Sequence, residues 1–232
     1  MNNEEKTKEI YILMGKLEVD KVGIASLDDL PGTEAPEKAT RLLPGARSIV
    51  VLALEVFQEA VSHITSRVQV GEMAFRDLYL KNTELVRGLL NWEAYQVVKG
   101  LHKVGYRGLP LPDGGVYDER FLEGEISFKH VAQAAGLGIF GWHSMLITPE
   151  YGSRVRFACV VTDAPLASTP APEMENPCIK CQGACVRICP VGAIGKPEAG
   201  ETYRFDKYAC NTYYTGVGLC SECLKVCPAG RK

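Results

Sequence analysis

The sequence has almost no net charge: 26 Lys and Arg stand against 28 Asp and Glu, giving −2 at pH 7 over 232 residues. It therefore lacks the basic excess that a polyanionic partner requires, and nucleic acid is not expected as a ligand. It also lacks any run approaching the ~20 consecutive apolar residues of a membrane helix, so no membrane partner is expected. The N-terminal stretch MNNEEKTKEIYILMGKLEVDKVGIAS has no basic n-region, no unbroken apolar h-region and no twin-arginine pair. Export is not expected, and the protein reads as cytoplasmic. Cysteine is absent from the first 158 residues, which excludes a disulfide framework in the main body.

What is present is an ordinary globular composition, 46% hydrophobic and 23% charged. The length suits one fairly large domain or a main domain with a small appendage. Apolar spacing predicts a helix over Glu5 to Leu17, then a strand in VDKVGIAS. A β-branched run from Ile49 to Val56 reads as a strand buried on both faces. Residues 72–104 contain no proline and repeat at helical spacing, predicting one or two long helices that stop near Gly100 or Gly105. GLPLPDGGVYDERFLEGE reads as a long loop, and SFKHVAQAAGLG as a short helix with Ser127 as N-cap and Gly136 near its end. MLITPEYGSRVRFACVVT reads as two strands joined at Pro149 to Ser153 in an antiparallel hairpin. The proline-rich stretch DAPLASTPAPEMENP is the linker, which places a domain boundary near Thr169. The fold class is thus α+β, with a core domain over 1–169 and a small ferredoxin-like domain over 170–232.

Eight of nine cysteines fall after residue 177. One run is Cys178-Ile-Lys-Cys181-Gln-Gly-Ala-Cys185-Val-Arg-Ile-Cys189-Pro190. A second is Cys220-Ser-Glu-Cys223-Leu-Lys-Val-Cys227-Pro228, with Cys210 alone between them. Each ends in Cys-x-x-x-Cys-Pro, the bacterial ferredoxin pattern in which the last cysteine ligates the other cluster. Applying that crossing assigns one [4Fe-4S] cluster to Cys178, Cys181, Cys185 and Cys227, and a second to Cys189, Cys210, Cys220 and Cys223. Three residues separate Cys181 from Cys185 where two are usual, so a small bulge is expected at Gly183. A pair of zinc sites would use the Cys-x-x-Cys repeats but leaves the Cys-Pro endings unexplained. Cys159, within an apolar strand, reads as a buried core thiol.

Gly136-Leu137-Gly138-Ile139-Phe140-Gly141 has the letters of a dinucleotide fingerprint. That fingerprint needs a strand before the glycines and a helix after them. Here the order is reversed, and Asp163, at about the distance of the ribose-binding acid, sits at a turn. The dinucleotide reading is rejected; a plain helix stop and tight turn is one alternative.

AAGLGIFGWHSMLITPEYGSRVRFACVVTDAPL followed by the two Cys-Pro runs resembles the epoxyqueuosine reductase and reductive dehalogenase superfamily, and VDKVGIASLDDL and LPGARSIVVLAL resemble the N-terminal part of epoxyqueuosine reductase. The resemblance implies a nitroreductase-like α/β core that holds base-off cobalamin and receives electrons from the clusters. It implies cofactor contacts at Gly136, Leu137, Gly138, Gly141, Ser144, Tyr151, Gly152, Ser153 and Arg154. It also implies a low-potential donor such as ferredoxin or flavodoxin, and a small-molecule substrate.

The sequence departs from that pattern in two places. The Asp-x-x-Pro-Val motif that supplies a proton donor in such reductases is absent, with Leu122 at about the aspartate's position. The helical-repeat region that many of them carry after the clusters is not in this sequence either, so reduction of tRNA is not expected. Replacement donors are His130, Tyr117, Asp118, Glu123 and Tyr151; His130 leads because its ordinary pKa is nearest neutrality. His143 is a further residue that could approach the cofactor. Two other readings stay open: an electron-transfer or activator protein that reduces a corrinoid protein, and an FMN-dependent iron–sulfur reductase. A homodimer is open as well.

Overall fold

Asn2 and Glu5 start the first helix reciprocally: the Glu5 amide donates to Asn2 Oδ1 at 2.8 Å and the Asn2 amide to Glu5 Oε2 at 2.9 Å. This capping box satisfies two donors that a helix start leaves orphaned. The computed structural model describes residues 2–64, 72–114 and 117–231. In chain order the elements are α1 (Asn3–Met14), β1 (Lys21–Ser26), α2 (Ala35–Leu42), β2 (Ser48–Glu55), α3 (Gln58–Ser62), α4 (Glu72–Lys103), β3 (Gly108–Leu111), β4 (Tyr117–Asp118), β5 (Glu123–Gly124), α5 (Phe128–Ala134), β6 (Ile139–Phe140), β7 (Leu146–Ile147), β8 (Val155–Thr162), α6 (Pro177–Cys181), α7 (Ala184–Ile188), β9 (Ile194–Gly195), β10 (Arg204–Phe205), α8 (Lys207–Gly216) and α9 (Glu222–Val226).

The chain forms two compact units. The first comprises Met1–Leu54, Val86–Leu137 and Arg156–Pro172; the second comprises Glu55–Leu85, Gly138–Val155 and Glu173–Lys232. The last of these boundaries lies three residues beyond Thr169. Two earlier segments, including the one that begins at Gly138, group with the cysteine tail.

The first unit is built on a sheet of order β1-β2-β8-β3. β1 runs antiparallel to β2 from Lys21↔Ala53 to Ser26↔Ser48, and β3 antiparallel to β8 from Gly108↔Thr162 to Leu111↔Cys159. On one face Val50, Leu52 and Val160 pack with Ile10 of α1 and Leu90, Val97 and Leu101 of α4. Each such side chain contributes about 1.5–3 kcal/mol when fully buried. Gly100 lets α1 approach, since a Cβ there would lie 1.9 Å from Leu13 Cδ2. Gly23 points to the opposite face between Val22 and Ile24, where a Cβ would meet the Ala135 carbonyl at 2.3 Å. α5 therefore covers that face, and β2 is buried on both, as its unbroken apolar run predicts.

Two expectations are corrected. The predicted loop at 108–125 contains β3 and the β4–β5 hairpin; its Gly115 and Val116 lie outside the described residues. Its prolines masked the strand, but β3 is an edge, where Pro110 need not donate a second ladder bond. The predicted hairpin around Pro149 also differs. β7 pairs with β6 (Ile139↔Ile147, Phe140↔Leu146), only the bridge Thr148↔Gly152 closes the turn, and β8 joins the large sheet. The first part of the proline-rich stretch is tied along β1. The Ile24 amide donates to Thr169 Oγ1 at 3.0 Å, the Thr169 amide to the Ile24 carbonyl at 2.9 Å, and the Ser26 amide to Ser168 Oγ at 2.9 Å. Hydroxyls thus satisfy an edge that prolines cannot.

In the second unit α7 packs against α9, and β9 pairs with β10. Val56, Val61, Ile64, Tyr79, Leu219 and Leu224 form its apolar core.

Candidate iron–sulfur and cofactor site

The cysteine runs fold as short helices whose ends are set by their neighbours. Asn176 caps α6, its Oδ1 accepting the Cys178 amide at 3.0 Å, with Pro177 at the first helical position. The extra residue between Cys181 and Cys185 is absorbed by two successive left-handed residues, Gln182 (φ 52°) and Gly183 (φ 74°). This is the bulge expected at Gly183. α7 and α9 both stop at a Cys-Pro pair, leaving Cys189 (φ −62°, ψ 115°) and Cys227 (φ −63°, ψ 123°) extended. Proline imposes that conformation on the residue before it. The physical purpose of each Cys-Pro ending is to turn the last thiol out of its own helix.

Among the described residues no cysteine is joined in a disulfide. Cys178, Cys181, Cys185 and Cys227 line one small cavity of about 10 Å³, together with His143 and apolar residues such as Ile147 and Pro228. Burial pushes the Cys185 thiol up to about 11, and Cys178, Cys227 and Cys181 act in the same direction. Burial also raises Cys178, with Cys227 and Cys181 beside it. Around the other four, burial raises Cys223 to about 12, next to Cys210 and Cys220, and raises Cys220, with Cys189 adding to the shift. Backbone N–H groups donate to thiol sulfur: Trp142 to Cys178 at 3.5 Å, Ala184 to Cys181 at 3.4 Å, and Ala193 to Cys189 at 3.2 Å. Among the described residues no three His, Cys, Asp or Glu side chains are arranged to hold a single metal ion. Trp142 was not singled out from the sequence. Its amide reaches Cys178 from 36 positions earlier, and its ring packs where a Gly183 Cβ would stand, 2.9 Å from Cζ3.

The glycine stretch is a helix stop followed by a hairpin. Gly136 (φ 71°) ends α5, and Gly138 to Gly141 enter β6 rather than a helix, contrary to a pyrophosphate site. The space opposite each glycine is taken by the protein itself. A Cβ would meet the Pro170 carbonyl at 2.3 Å from Gly136, the Ile147 carbonyl at 2.2 Å from Gly138, and His143 Cε1 at 2.6 Å from Gly141. Gly152 (φ 59°) lies against the Ala229 carbonyl, 1.9 Å from its would-be Cβ. Leu137 and Ser144 are buried, and Ser144 is held in the left-handed region (φ 60°). Arg154 donates to Glu55 Oε1 at 2.8 Å and to the Gly230 carbonyl at 3.1 Å. Ser153 Oγ and Arg154 Nε are buried without hydrogen-bond partners among the described residues. Tyr151 is half-buried, its amide donating to Thr148 Oγ1 at 3.2 Å.

The proton-donor candidates lie in the first unit, apart from Tyr151. His130 is exposed at the start of α5, its Nδ1 2.7 Å from Ser127 Oγ; partial burial, then the Lys129 charge, lowers its pKa. Ser127 thus spends its hydroxyl on His130 rather than on the backbone. Hydrogen bonds from Arg120 hold Asp118 below the usual carboxylate range, so it has no proton to give at neutral pH. Tyr117 is exposed on β4, and Leu122 sits in the adjacent turn with φ 50°. Asp163 binds Arg107 Nε at 2.7 Å, a structural pairing. Cys159 is fully buried in β8, as expected of a core thiol.

The 4Fe-4S dicluster domain model matches residues 177–231. The epoxyqueuosine reductase of Bacillus cereus is 27% identical over 100% of this chain and 66% of its own length; that of Bacillus subtilis is 32% identical over 47% of this chain and 30% of its own. The chain thus spans about two thirds of the B. cereus protein. Among solved structures, a catabolic reductive dehalogenase matches 96% of this chain and 31% of its own with TM-score 0.71 and 17% identity. The B. subtilis epoxyqueuosine reductase matches 99% of this chain and 66% of its own, with TM-score 0.57 and 22% identity. The expectation against a nucleic-acid partner finds no support in this similarity. Among the described residues no helix is long and apolar enough to cross a membrane. Along its whole length the chain is similar to epoxyqueuosine reductases, it has a fold shared with them and with reductive dehalogenases, and it carries a 4Fe-4S dicluster domain at residues 177–231.

Proposed function

We propose that the protein is an iron–sulfur reductase of the epoxyqueuosine reductase type, with one [4Fe-4S] cluster on Cys178, Cys181, Cys185 and Cys227 and a second on Cys189, Cys210, Cys220 and Cys223. The observation that carries this reading is the cavity in which Cys227 joins three cysteines of the other run. A cubane takes one thiolate at each of four irons, so its ligands need not converge as those of one ion do. Bound clusters supply one-electron transfer at low potential. The chain's part is to bury the thiols, to aim Cys189 and Cys227 across by their prolines, and to place the Trp142, Ala184 and Ala193 amides on sulfur, where they stabilise negative charge.

The proposed electron acceptor is a corrinoid, which when bound supplies a strongly reducing cobalt centre. Supporting it is the fold shared with a reductive dehalogenase whose described chemistry is B12-dependent. Ser153 Oγ and Arg154 Nε fit such a group as donors for polar substituents. Gly136, Gly138, Gly141 and Gly152 offer no bare Cα face to a ring, since protein atoms fill that space. His130 is the proposed proton donor, with Ser127 fixing its ring. The proposed electron source is a ferredoxin or flavodoxin, and the substrate a small molecule.

Anaerobic purification tests this reading. About eight iron and eight sulfide per chain are expected for two four-iron clusters, with added hydroxocobalamin co-eluting on gel filtration. Zinc in place of iron would overturn the cluster assignment. An FMN spectrum with no corrinoid binding would replace the acceptor, and full clusters with neither would favour an electron-transfer protein. Turnover of a tRNA substrate would overturn the small-molecule assignment.

A further inference from the structure

We propose that His143 sets the reduction potential of the cluster held by Cys178, Cys181, Cys185 and Cys227, by donating its Nε2 proton to sulfur in that cavity; this rests on the cluster assignment above. The imidazole is buried, 3% exposed, and lines the same cavity as the four thiols. Apart from the cysteines, the cavity wall is apolar: Ile147, Pro177, Gly183, Pro228 and Ala229. Among the described residues His143 is thus the one side chain of that wall with a strong N–H donor.

The ring's tautomer follows from its other nitrogen. The Met145 amide donates to His143 Nδ1 at 3.2 Å, so Nδ1 carries a lone pair and the proton of the neutral ring is on Nε2. The turn is built to hold the ring there. The Gly141 amide donates to the Met145 carbonyl at 2.9 Å and the Ser144 amide to the Gly141 carbonyl at 3.0 Å. Ser144 takes a left-handed φ of 60°, unusual for a residue with a side chain, and strain of that kind concentrates at functional sites. Gly141 has no Cβ because one would lie 2.6 Å from His143 Cε1. The third glycine of the apparent fingerprint is thereby explained as the seat of this imidazole.

A donor to a cluster sulfur favours the more negative, reduced state and raises the potential. The test is anaerobic EPR potentiometry of the iron-loaded protein. His143→Leu removes the donor, and His143→Gln keeps an N–H at similar reach. In His143→Leu the reduced-to-oxidised ratio of one cluster at a fixed potential should fall about tenfold, equivalent to about 59 mV for one electron. The other cluster should be unmoved, and His143→Gln should stay within about threefold of the parent. Unmoved potentials, equal shifts of both clusters, or a rise would overturn the inference and leave the cluster assignment standing. Should His143→Leu load no iron, pulsed EPR of the reduced parent decides. A weakly coupled imidazole nitrogen and exchangeable proton support the donor role; their absence, or coupling strong enough for direct iron ligation, overturns it. A parent with no clusters overturns both readings together.

Discussion

Gly152→Ala is a one-atom test of how the turn after β7 supports the cluster loops. Its Cβ would stand 1.9 Å from the Ala229 carbonyl oxygen and 2.4 Å from its carbon; a Cβ built on Gly230 would in turn stand 2.1 Å from the Gly152 amide nitrogen. Both partners are backbone, so no side chain can swing away. The left-handed φ of 59° adds a conformational cost of roughly 1–2 kcal/mol, and overpacking adds about 1–3 kcal/mol. The sum, about 2–5 kcal/mol, corresponds to a fall in Tm of about 4–20 °C for a chain of this size. Because Ala229 follows Cys227 and Pro228 directly, the same displacement should lower the iron content. Gly88→Ala is the control: it lies within α4, nothing approaches a Cβ there, and the change should be neutral or stabilise by up to about 1 kcal/mol. Thermal melts with iron and sulfide analysis read both. A Gly152→Ala protein with unchanged Tm and full iron would refute the packing argument.

Other substitutions probe separate parts of the structure. Arg154→Met should cost about 3 kcal/mol in urea melts, the low end for breaking a buried pair because Glu55 is 20% exposed; a loss below about 1 kcal/mol would contradict it. Thr169→Val leaves the Ile24 amide without its acceptor and should cost about 1–3 kcal/mol; no change would mean the strap along β1 is dispensable. Cys159, with its thiol pushed far above the usual range by burial, should resist alkylation in the folded, cluster-free protein while the half-buried Cys181, Cys189, Cys210 and Cys227 react; mass spectrometry after brief iodoacetamide treatment identifies the modified positions. For His130 the folded pKa lies below the usual value of about 6.5. The folded state then binds fewer protons than the unfolded state just below that pH, and this contribution to stability is lost as pH falls through the window. An imidazole NMR titration midpoint at or above 6.5 would contradict the assignment.

The parts of the fold that were legible in the sequence are those with a local cause. The apolar run of β2, the helical spacing of α4 and the reversed helix–strand order around the glycines each declare themselves within about 30 residues. The bulge at Gly183 was legible because counting residues between cysteines is enough. The partnerships of distant segments were not. Nothing near Gly152 announces that Ala229 will fill its open side, and nothing near Trp142 announces the Cys178 thiol. β3 was hidden because Pro110 and Pro112 look like loop chemistry until the strand is known to be an edge. The glycines invited a ligand reading for the same reason: close approach is visible in sequence, but what approaches is decided by tertiary structure.

The central claim is that the two cysteine runs exchange their last ligands, and EPR of single Cys→Ser variants reads it directly. If the exchange holds, Cys227→Ser and Cys178→Ser abolish the same cluster signal, while Cys223→Ser abolishes the other. Loss of one common signal in Cys227→Ser and Cys223→Ser, with the Cys178→Ser signal distinct from both, would show that each run holds its own cluster and would contradict the account.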